Sequence, residues 1–210
     1  MKLVELTVKD YIDLLGSDAP APGGGSASAL SGAQGAGLAA MVAALTIGKK
    51  KYQEYWELCE EKQAAAADYQ KRLAAQVDKD TEAFNLLSSA FKLPKETDDE
   101  KKLRSGEIAS ATLIATQVPF DTLVMAVEAL EVAQEIVGRS NSNAASDLGV
   151  AALQLLACAR GAWLNVLINL PGVKDEEKAA FFKTKGAEYM KKAESGSEEI
   201  YKATLEIISA

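Results

Sequence analysis

Apolar residues recur at intervals of three and four along most of this chain, the spacing that places side chains on one face of an α-helix. The longest stretch without proline or glycine covers about residues 53–91. Its inward-facing stripe is expected to consist of Leu73, Val77, Phe84 and Leu87. No segment alternates between apolar and polar residues over a useful length, so the pattern predicts an all-α fold without a β-sheet.

Residues that start and stop helices divide the chain into six or seven helical segments. Thr7 precedes a short helix that Gly16 closes, and Thr97 opens a capping box with Glu100. Pro119 is expected to kink or break a later helix. The predicted segments cover about residues 7–16, 25–47, 53–91, 97–116, 120–137, 146–170 and 174–208. We therefore expect one domain, residues 1–210, that forms a bundle including two long helices, and a homodimer that extends this bundle.

Prolines and glycines precede the second helix, at Pro20, Pro22, Gly23, Gly24 and Gly25. The prolines disfavour an earlier start of the helix, and the glycines let the backbone come close to whatever docks there. Ser26 is expected to cap the helix. Three interior glycines, each costing about 1 kcal/mol against alanine, indicate close approach of a neighbouring element; they are Gly32, Gly35 and Gly37. Tight packing and an anion site at the helix N-terminus explain this stretch about equally well.

Composition excludes several classes of function. The 210 residues carry a net charge of −7, which argues against non-specific binding to nucleic acid and to anionic membranes. The absence of histidine excludes a Ser-His-Asp triad and the usual zinc sites, and we expect no metal. Cys59 and Cys158 are typical of reduced thiols in a cytoplasmic protein. We expect no signal peptide and no membrane span, since the nearest apolar run, residues 150–170, is interrupted by polar residues.

Asp80 interrupts the apolar stripe of the long helix. It lies three residues after Val77 and four before Phe84, where a leucine would be expected. A buried carboxylate is costly, so it must be paired, protonated or facing a ligand cleft. One interpretation is an Asp bonded within the core; the other is a partly desolvated carboxylate with a raised pKa that accepts and returns a proton. Asp78 points away and is expected to be solvated.

Two further polar groups allow both a structural and a functional interpretation. Lys49, Lys50 and Lys51 complement a helix C-terminus, but with Tyr52 they also suit a ligand that has a flat ring and carboxylates. The second group consists of Asn141, Asn143, Ser146 and Asp147. Either Asn143 or Ser146 is expected to cap the following helix, which is apolar nearly all round and therefore predicted to be central and buried. Asn165 and Asn169 on that helix need hydrogen-bond partners if they are buried.

Taken together and in order, these stretches resemble the cyclodeaminase/cyclohydrolase family, over essentially the whole chain. The matching motifs are Pro22-Gly23-Gly24-Gly25-Ser26, residues 45–52, Asp80-Thr81-Glu82-Ala83-Phe84, residues 141–150, Asn165-Val166 and Ile168-Asn169. The turn Leu93-Pro94-Lys95 and the segment that follows resemble the stand-alone bacterial cyclohydrolases most closely. Each motif alone is weak, and the ordered set is specific.

The resemblance implies an all-helical, dimeric, folate-binding enzyme whose catalytic residue is Asp80. It places the folate site at Pro22, Gly23, Gly24, Gly25, Ser26, Lys49, Tyr52, Asn141, Asn143, Ser146 and Asp147. It implies no cofactor beyond the tetrahydrofolate substrate. The leading hypothesis is a methenyltetrahydrofolate cyclohydrolase, and the alternative within the family is a formiminotetrahydrofolate cyclodeaminase. From another class, a non-catalytic folate carrier or helical scaffold remains open, whereas a P-loop is disfavoured because the lysine that would follow the glycines is missing.

Overall fold

The structure, a computed structural model, describes residues 2–210, which contain six α-helices and no β-strand. The helices are α1 (Val8–Leu15), α2 (Gly24–Ala44), α3 (Trp56–Phe91), α4 (Asp98–Ile136), α5 (Ala145–Asn169) and α6 (Glu176–Ser209). Short 3₁₀ turns flank them at Leu3–Glu5, Lys50–Tyr55, Ser142–Ala144 and Leu170–Gly172. The all-α prediction is confirmed, and the caps at Thr7 and Thr97 form as expected.

Helix α2 packs between α3 and α5, and its glycines allow the close approach that the sequence indicates. A side-chain carbon on Gly32 would lie 2.6 Å from the sulfur of Cys158 on α5, and one on Gly35 would lie 2.8 Å from the Ala151 carbonyl oxygen. Larger residues at either position would push α5 away. The interior glycines of α2 therefore act as packing devices in the core of the bundle.

Helix α4 runs without interruption through Pro119, so the expectation of two separate helices is wrong. Proline lacks the N–H that would bond the carbonyl four residues earlier, which belongs to Ala115. The side chain of Asn169 on α5 donates to that carbonyl at 2.7 Å. A donor from a neighbouring helix thus satisfies the carbonyl that Pro119 leaves unpaired, and the helix continues.

Helix α5 is less buried than its apolar sequence predicts. Helices α2, α4 and α6 cover three of its sides, but a stripe of large side chains is 39–78% exposed; it comprises Val150, Leu153, Leu164, Leu167 and Ile168. The predicted caps are also wrong, because neither the Asn143 nor the Ser146 side chain caps α5. Instead Asn141 caps the preceding 3₁₀ turn, accepting a hydrogen bond from the backbone N–H of Asn143 at 3.2 Å.

Three segments are long and apolar enough to cross a bilayer by length and composition alone, contrary to the expectation from the sequence. They are Gly24–Ala44, Asp98–Ile136 and Ser142–Gly172. In the bundle these segments pack against one another, and 50%, 61% and 39% of their most apolar windows are buried.

Candidate active site

Asp80 lies on α3 where the N-terminus of α2 comes closest to it. A side-chain carbon on Gly25 would overlap the Asp80 carboxylate, so only glycine leaves room for the carboxylate at this position. The Ser26 hydroxyl lies 3.1 Å from Asp80 Oδ2 and 2.8 Å from the Val77 carbonyl oxygen, to both of which it can donate. Gly23 is the N-cap of α2, so the expectation that Ser26 caps this helix is wrong. Ser26 is fully buried and positions the carboxylate.

Burial raises the pKa of Asp80 above its ordinary value of 3.8, although the hydrogen bond from Ser26 acts in the opposite direction. Among the described residues, no lysine or arginine forms an ion pair with this carboxylate. The direction of this pKa agrees with a partly desolvated carboxylate, whereas the role of Asp80 in proton transfer stays a prediction. A carboxyl group with a raised pKa holds its proton to a higher pH than an exposed aspartate does, which favours proton exchange with a ligand.

Asp80 opens into a cleft of about 320 Å³ between α2, α3, α4 and α5. The glycine loop forms one wall through Pro20, Ala21, Gly23, Gly24 and Gly25. The opposite wall consists of Ala115, Asn165, Ile168 and Asn169, and α3 contributes Thr81, Ala83, Phe84 and Leu87. Among the described residues, no basic side chain lines this cleft. Its polar groups are a carboxylate, a hydroxyl and two amides, which favours a ligand that donates hydrogen bonds or carries positive charge.

The side chain of Phe84, which was expected to face the core, is 41% exposed and faces this cleft. Asp78 is not simply solvated either, because its Oδ1 accepts the backbone N–H of Leu3 at 2.6 Å and anchors the N-terminal segment. Tyr11 is buried nearby, and its hydroxyl lacks a partner in the part of the chain that the structure describes. Burial and the charge of Asp80 both raise the pKa of Tyr11.

The second group of predicted site residues lies at the other end of α2. Tyr52 and Asn141 line a separate cavity of about 250 Å³. The hydroxyl group of Tyr52 is 2.9 Å from that of Ser142 and accepts the Ser142 backbone N–H at 3.0 Å. These bonds, together with the neighbouring Lys51, lower the pKa of Tyr52 to about 8. Asn141 is buried, and its amide donates to the Leu45 carbonyl at 3.3 Å, so its side chain holds the turn against α2.

Helix α2 separates the two groups. Its 21 residues span about 30 Å at a rise of 1.5 Å per residue. Lys49, Asn143, Ser146 and Asp147 lie at the far end, beyond or beside the second cavity. Within one chain, Asp80 and these residues therefore cannot contact the same small ring of a ligand. Pro22 and Ser26, both buried, do not line the cleft, whereas the three glycines do.

The sequence pattern does not reveal several residues of the cleft. Thr81 and Ile168 belong to motifs that carry the family resemblance, but neither interrupts a pattern as Asp80 does. Ala115 lines the cleft and its carbonyl accepts from Asn169, a role that a lone alanine does not reveal. The expectation that Asn165 and Asn169 need partners is confirmed, since Asn165 Nδ2 donates to the Gly161 carbonyl at 2.9 Å and Asn169 Nδ2 to the Asn165 carbonyl at 3.0 Å.

Known proteins are similar to this chain over most of its length. A sequence model described as formiminotransferase-cyclodeaminase matches residues 7–188, most of the chain. The chain belongs to this family. It is 40% identical over 169 residues to a methenyltetrahydrofolate cyclohydrolase from Methylorubrum extorquens, covering 80% of this chain and 81% of that protein.

More distant members of the family are similar over the same helical region. A formimidoyltransferase-cyclodeaminase from Sus scrofa is 33% identical over 178 residues, which cover 83% of this chain but only 32% of that protein. The chain thus spans about a third of that longer relative. The crystal structure of formiminotetrahydrofolate cyclodeaminase from Thermotoga maritima superposes with a TM-score of 0.81 at 27% identity, covering 99% of this chain and 98% of the other. The prediction of family and fold is confirmed.

Proposed function

We propose that this protein is an enzyme of one-carbon metabolism that hydrolyses 5,10-methenyltetrahydrofolate to 10-formyltetrahydrofolate. The observation that carries the proposal is Asp80, a partly buried carboxylate with a raised pKa in a cleft that the described residues line without a basic side chain. The substrate is a cation at the carbon that reacts, so a negative carboxylate stabilises it and is itself stabilised when the substrate binds. The 40% identity to a methenyltetrahydrofolate cyclohydrolase favours hydrolysis over the related cyclodeaminase reaction.

The reaction needs one group that moves protons. Asp80 accepts a proton as a water molecule forms a C–O bond to the carbon between N5 and N10, which gives a neutral adduct. The adduct collapses when the C–N5 bond breaks, and Asp80 returns its proton to N5. The adduct's hydroxyl loses its proton as the formyl C=O forms, so one proton is released overall. A carboxylate suffices for these steps, and we propose that no metal or cofactor beyond the folate substrate takes part.

The alternative is the cyclodeaminase reaction, in which N10 attacks a formimino carbon on N5 and ammonia leaves. The 27% identity and the shared fold with a cyclodeaminase keep this reaction open. We expect purified protein to bleach the methenyl chromophore at a rate well above spontaneous hydrolysis, and to release little ammonia from formiminotetrahydrofolate. The paired assay decides between the two: rapid ammonia release with no bleaching would favour the cyclodeaminase, and failure of both would leave a folate carrier or scaffold.

We further propose that the chain works as a homodimer, in which a second copy covers the exposed stripe of α5. Ile168 at one end of the stripe borders the Asp80 cleft, whereas Val150 at the other end follows Asp147. If two copies of α5 pack antiparallel about a two-fold axis, the 141–147 turn of each copy lies near the cleft of the other. Such a dimer would unite the two groups of predicted site residues, with the lysines at residues 49–51 receiving the glutamate tail of folate. We propose that this dimer acts in the cytoplasm, without nucleic acid or membrane partners.

Replacing Leu164 on the α5 stripe by lysine is expected to convert the dimer to a monomer and to lower activity at least tenfold. Leu164 is 66% exposed in the single chain, so the substitution disturbs only what covers that surface. Sedimentation velocity at micromolar concentration measures the mass of the particle. Leu103→Lys is the control, since this leucine is 60% exposed and belongs to α4 rather than to the α5 stripe. A wild-type monomer, or a Leu164→Lys dimer, would contradict the proposal.

A further inference from the structure

Both asparagines of the cleft wall donate to backbone carbonyls, and two such carbonyls fix the orientation of the Asn169 amide. Both N–H bonds of Asn169 are used, one by the Ala115 carbonyl at 2.7 Å and the other by the Asn165 carbonyl at 3.0 Å. If the amide flipped, its oxygen would face two carbonyl oxygens, which repel it. The amide oxygen of Asn169 must therefore point away from both carbonyls.

Within residues 2–210, no group donates a hydrogen bond to the amide oxygen of Asn169. No hydrogen bond reaches Oδ1 of Asn169 or of Asn165, yet neither oxygen is fully buried. Both residues line the Asp80 cleft. One turn of α5 thus carries two accessible amide oxygens on residues of the cleft wall, where they are available as acceptors for a ligand.

A reduced pterin ring has the matching edge. Its exocyclic amino group and ring N3–H are adjacent donors, and together they can satisfy two adjacent acceptors. We propose that Asn169, held by the carbonyl that Pro119 leaves free, is a specificity-determining residue that accepts a hydrogen bond from the N–H edge of the pterin ring. Asn165 supports the same edge. This inference rests on the proposed function and specifies how the substrate ring is recognised.

Pro119 is the positioning element in this arrangement. Replacing it by alanine restores a backbone N–H that competes for the Ala115 carbonyl, which releases one of the two bonds that orient the Asn169 amide. The same change favours the helix, because alanine is a far better helix former than proline. Pro119→Ala is therefore expected to weaken ligand binding without loss of folding, and it does so from a position outside the residues that line the cleft.

The test compares two fragments of folate: 6-methyltetrahydropterin, which has the ring, and p-aminobenzoylglutamate, which has only the tail. Calorimetry on the purified full chain should show that Asn169→Ala raises the Kd for the pterin about tenfold, the effect of about one hydrogen bond. Pro119→Ala should raise it about threefold. Neither variant should change the Kd for the tail fragment, and the exposed residue Asn85 provides a neutral control as Asn85→Ala.

The double variant separates recognition from folding. Asn169→Ala alone leaves the Ala115 carbonyl unpaired and should lower the Tm, whereas adding Pro119→Ala supplies an N–H and should restore the Tm. Pterin affinity should not return with it. Restored affinity, or an unchanged pterin Kd in Asn169→Ala, overturns the inference. If the wild type converts methenyltetrahydrofolate and these variants keep the wild-type KM, only the inference about Asn169 fails. If the wild type neither binds nor converts any folate, the proposed function fails as well.

Discussion

Asp80→Asn is expected to lower the turnover number by about 10²–10⁴-fold while leaving the protein folded and able to bind tetrahydrofolate. The substituted amide keeps an oxygen that accepts the Ser26 hydrogen bond, but it cannot accept a proton from water. Bleaching of the methenyl chromophore under saturating substrate measures the loss. Tetrahydrofolate is the right binding probe, because it lacks the cationic carbon whose affinity depends on the negative charge of Asp80.

The same variant should be more stable than the wild type at neutral pH. Burial raises the pKa of Asp80 above 3.8, so ionising this group costs folding free energy at any pH above the raised value. The asparagine does not bear that cost, and each kcal/mol relieved raises the Tm by about 2–4 °C in a domain of this size. The difference in stability between the variant and the wild type should shrink as the pH falls through the raised pKa of Asp80. It should vanish below about pH 3.8, where Asp80 is protonated in both the folded and the unfolded wild type.

Asp68→Asn is the matched control, since Asp68 lies on the same helix with its side chain 63% exposed beside Arg72. It should leave turnover unchanged. If Asp80→Asn instead unfolds the protein, Asp80 is a structural residue of the core. If activity survives the substitution, another group carries the proton.

The fold could be predicted from the sequence because its determinants are local. Caps such as Thr97 and stops such as Gly138, which has a φ of +74°, act within a few residues of the chain. Asp80 was found in the same way, as a single polar residue in an apolar stripe. The continuity of α4 was missed because its decisive hydrogen bond comes from Asn169, fifty residues beyond Pro119.

The composition of the site could be predicted only in part, for a related reason. The sequence grouped the glycine loop with the 141–147 turn, but α2 holds them about 30 Å apart. Their separation depends on which helices pack together, and periodicity does not specify that. The exposure of the α5 stripe could not be predicted from the sequence for the same reason. An apolar side of a helix is expected equally in a core and at a surface that a second copy covers.

Gly25→Ala is expected to abolish activity, because its new methyl group would occupy the space of the Asp80 carboxylate. Either α2 shifts away from α3 or Asp80 turns out of the cleft, and both outcomes remove the proton acceptor from the substrate. Turnover should fall at least 100-fold, and the Tm should fall as well, since overpacking at a close contact costs about 1–3 kcal/mol. Turnover and thermal unfolding of the same preparation measure the two effects.

The adjacent glycine provides the control. A methyl group on Gly24 would lie 3.7 Å from the nearest side-chain atom, an ordinary contact, so Gly24→Ala should keep the Tm. It is a control for stability only, because Gly24 itself lines the cleft. The clash can also be removed by truncating Asp80 instead of restoring the glycine. In an Asp80→Ala background, Gly25→Ala should therefore lower the stability much less than it does alone. If the two substitutions are additive, the carboxylate is not what requires glycine at position 25. A strong coupling would establish that this glycine is retained because it lets a helix terminus approach the carboxylate.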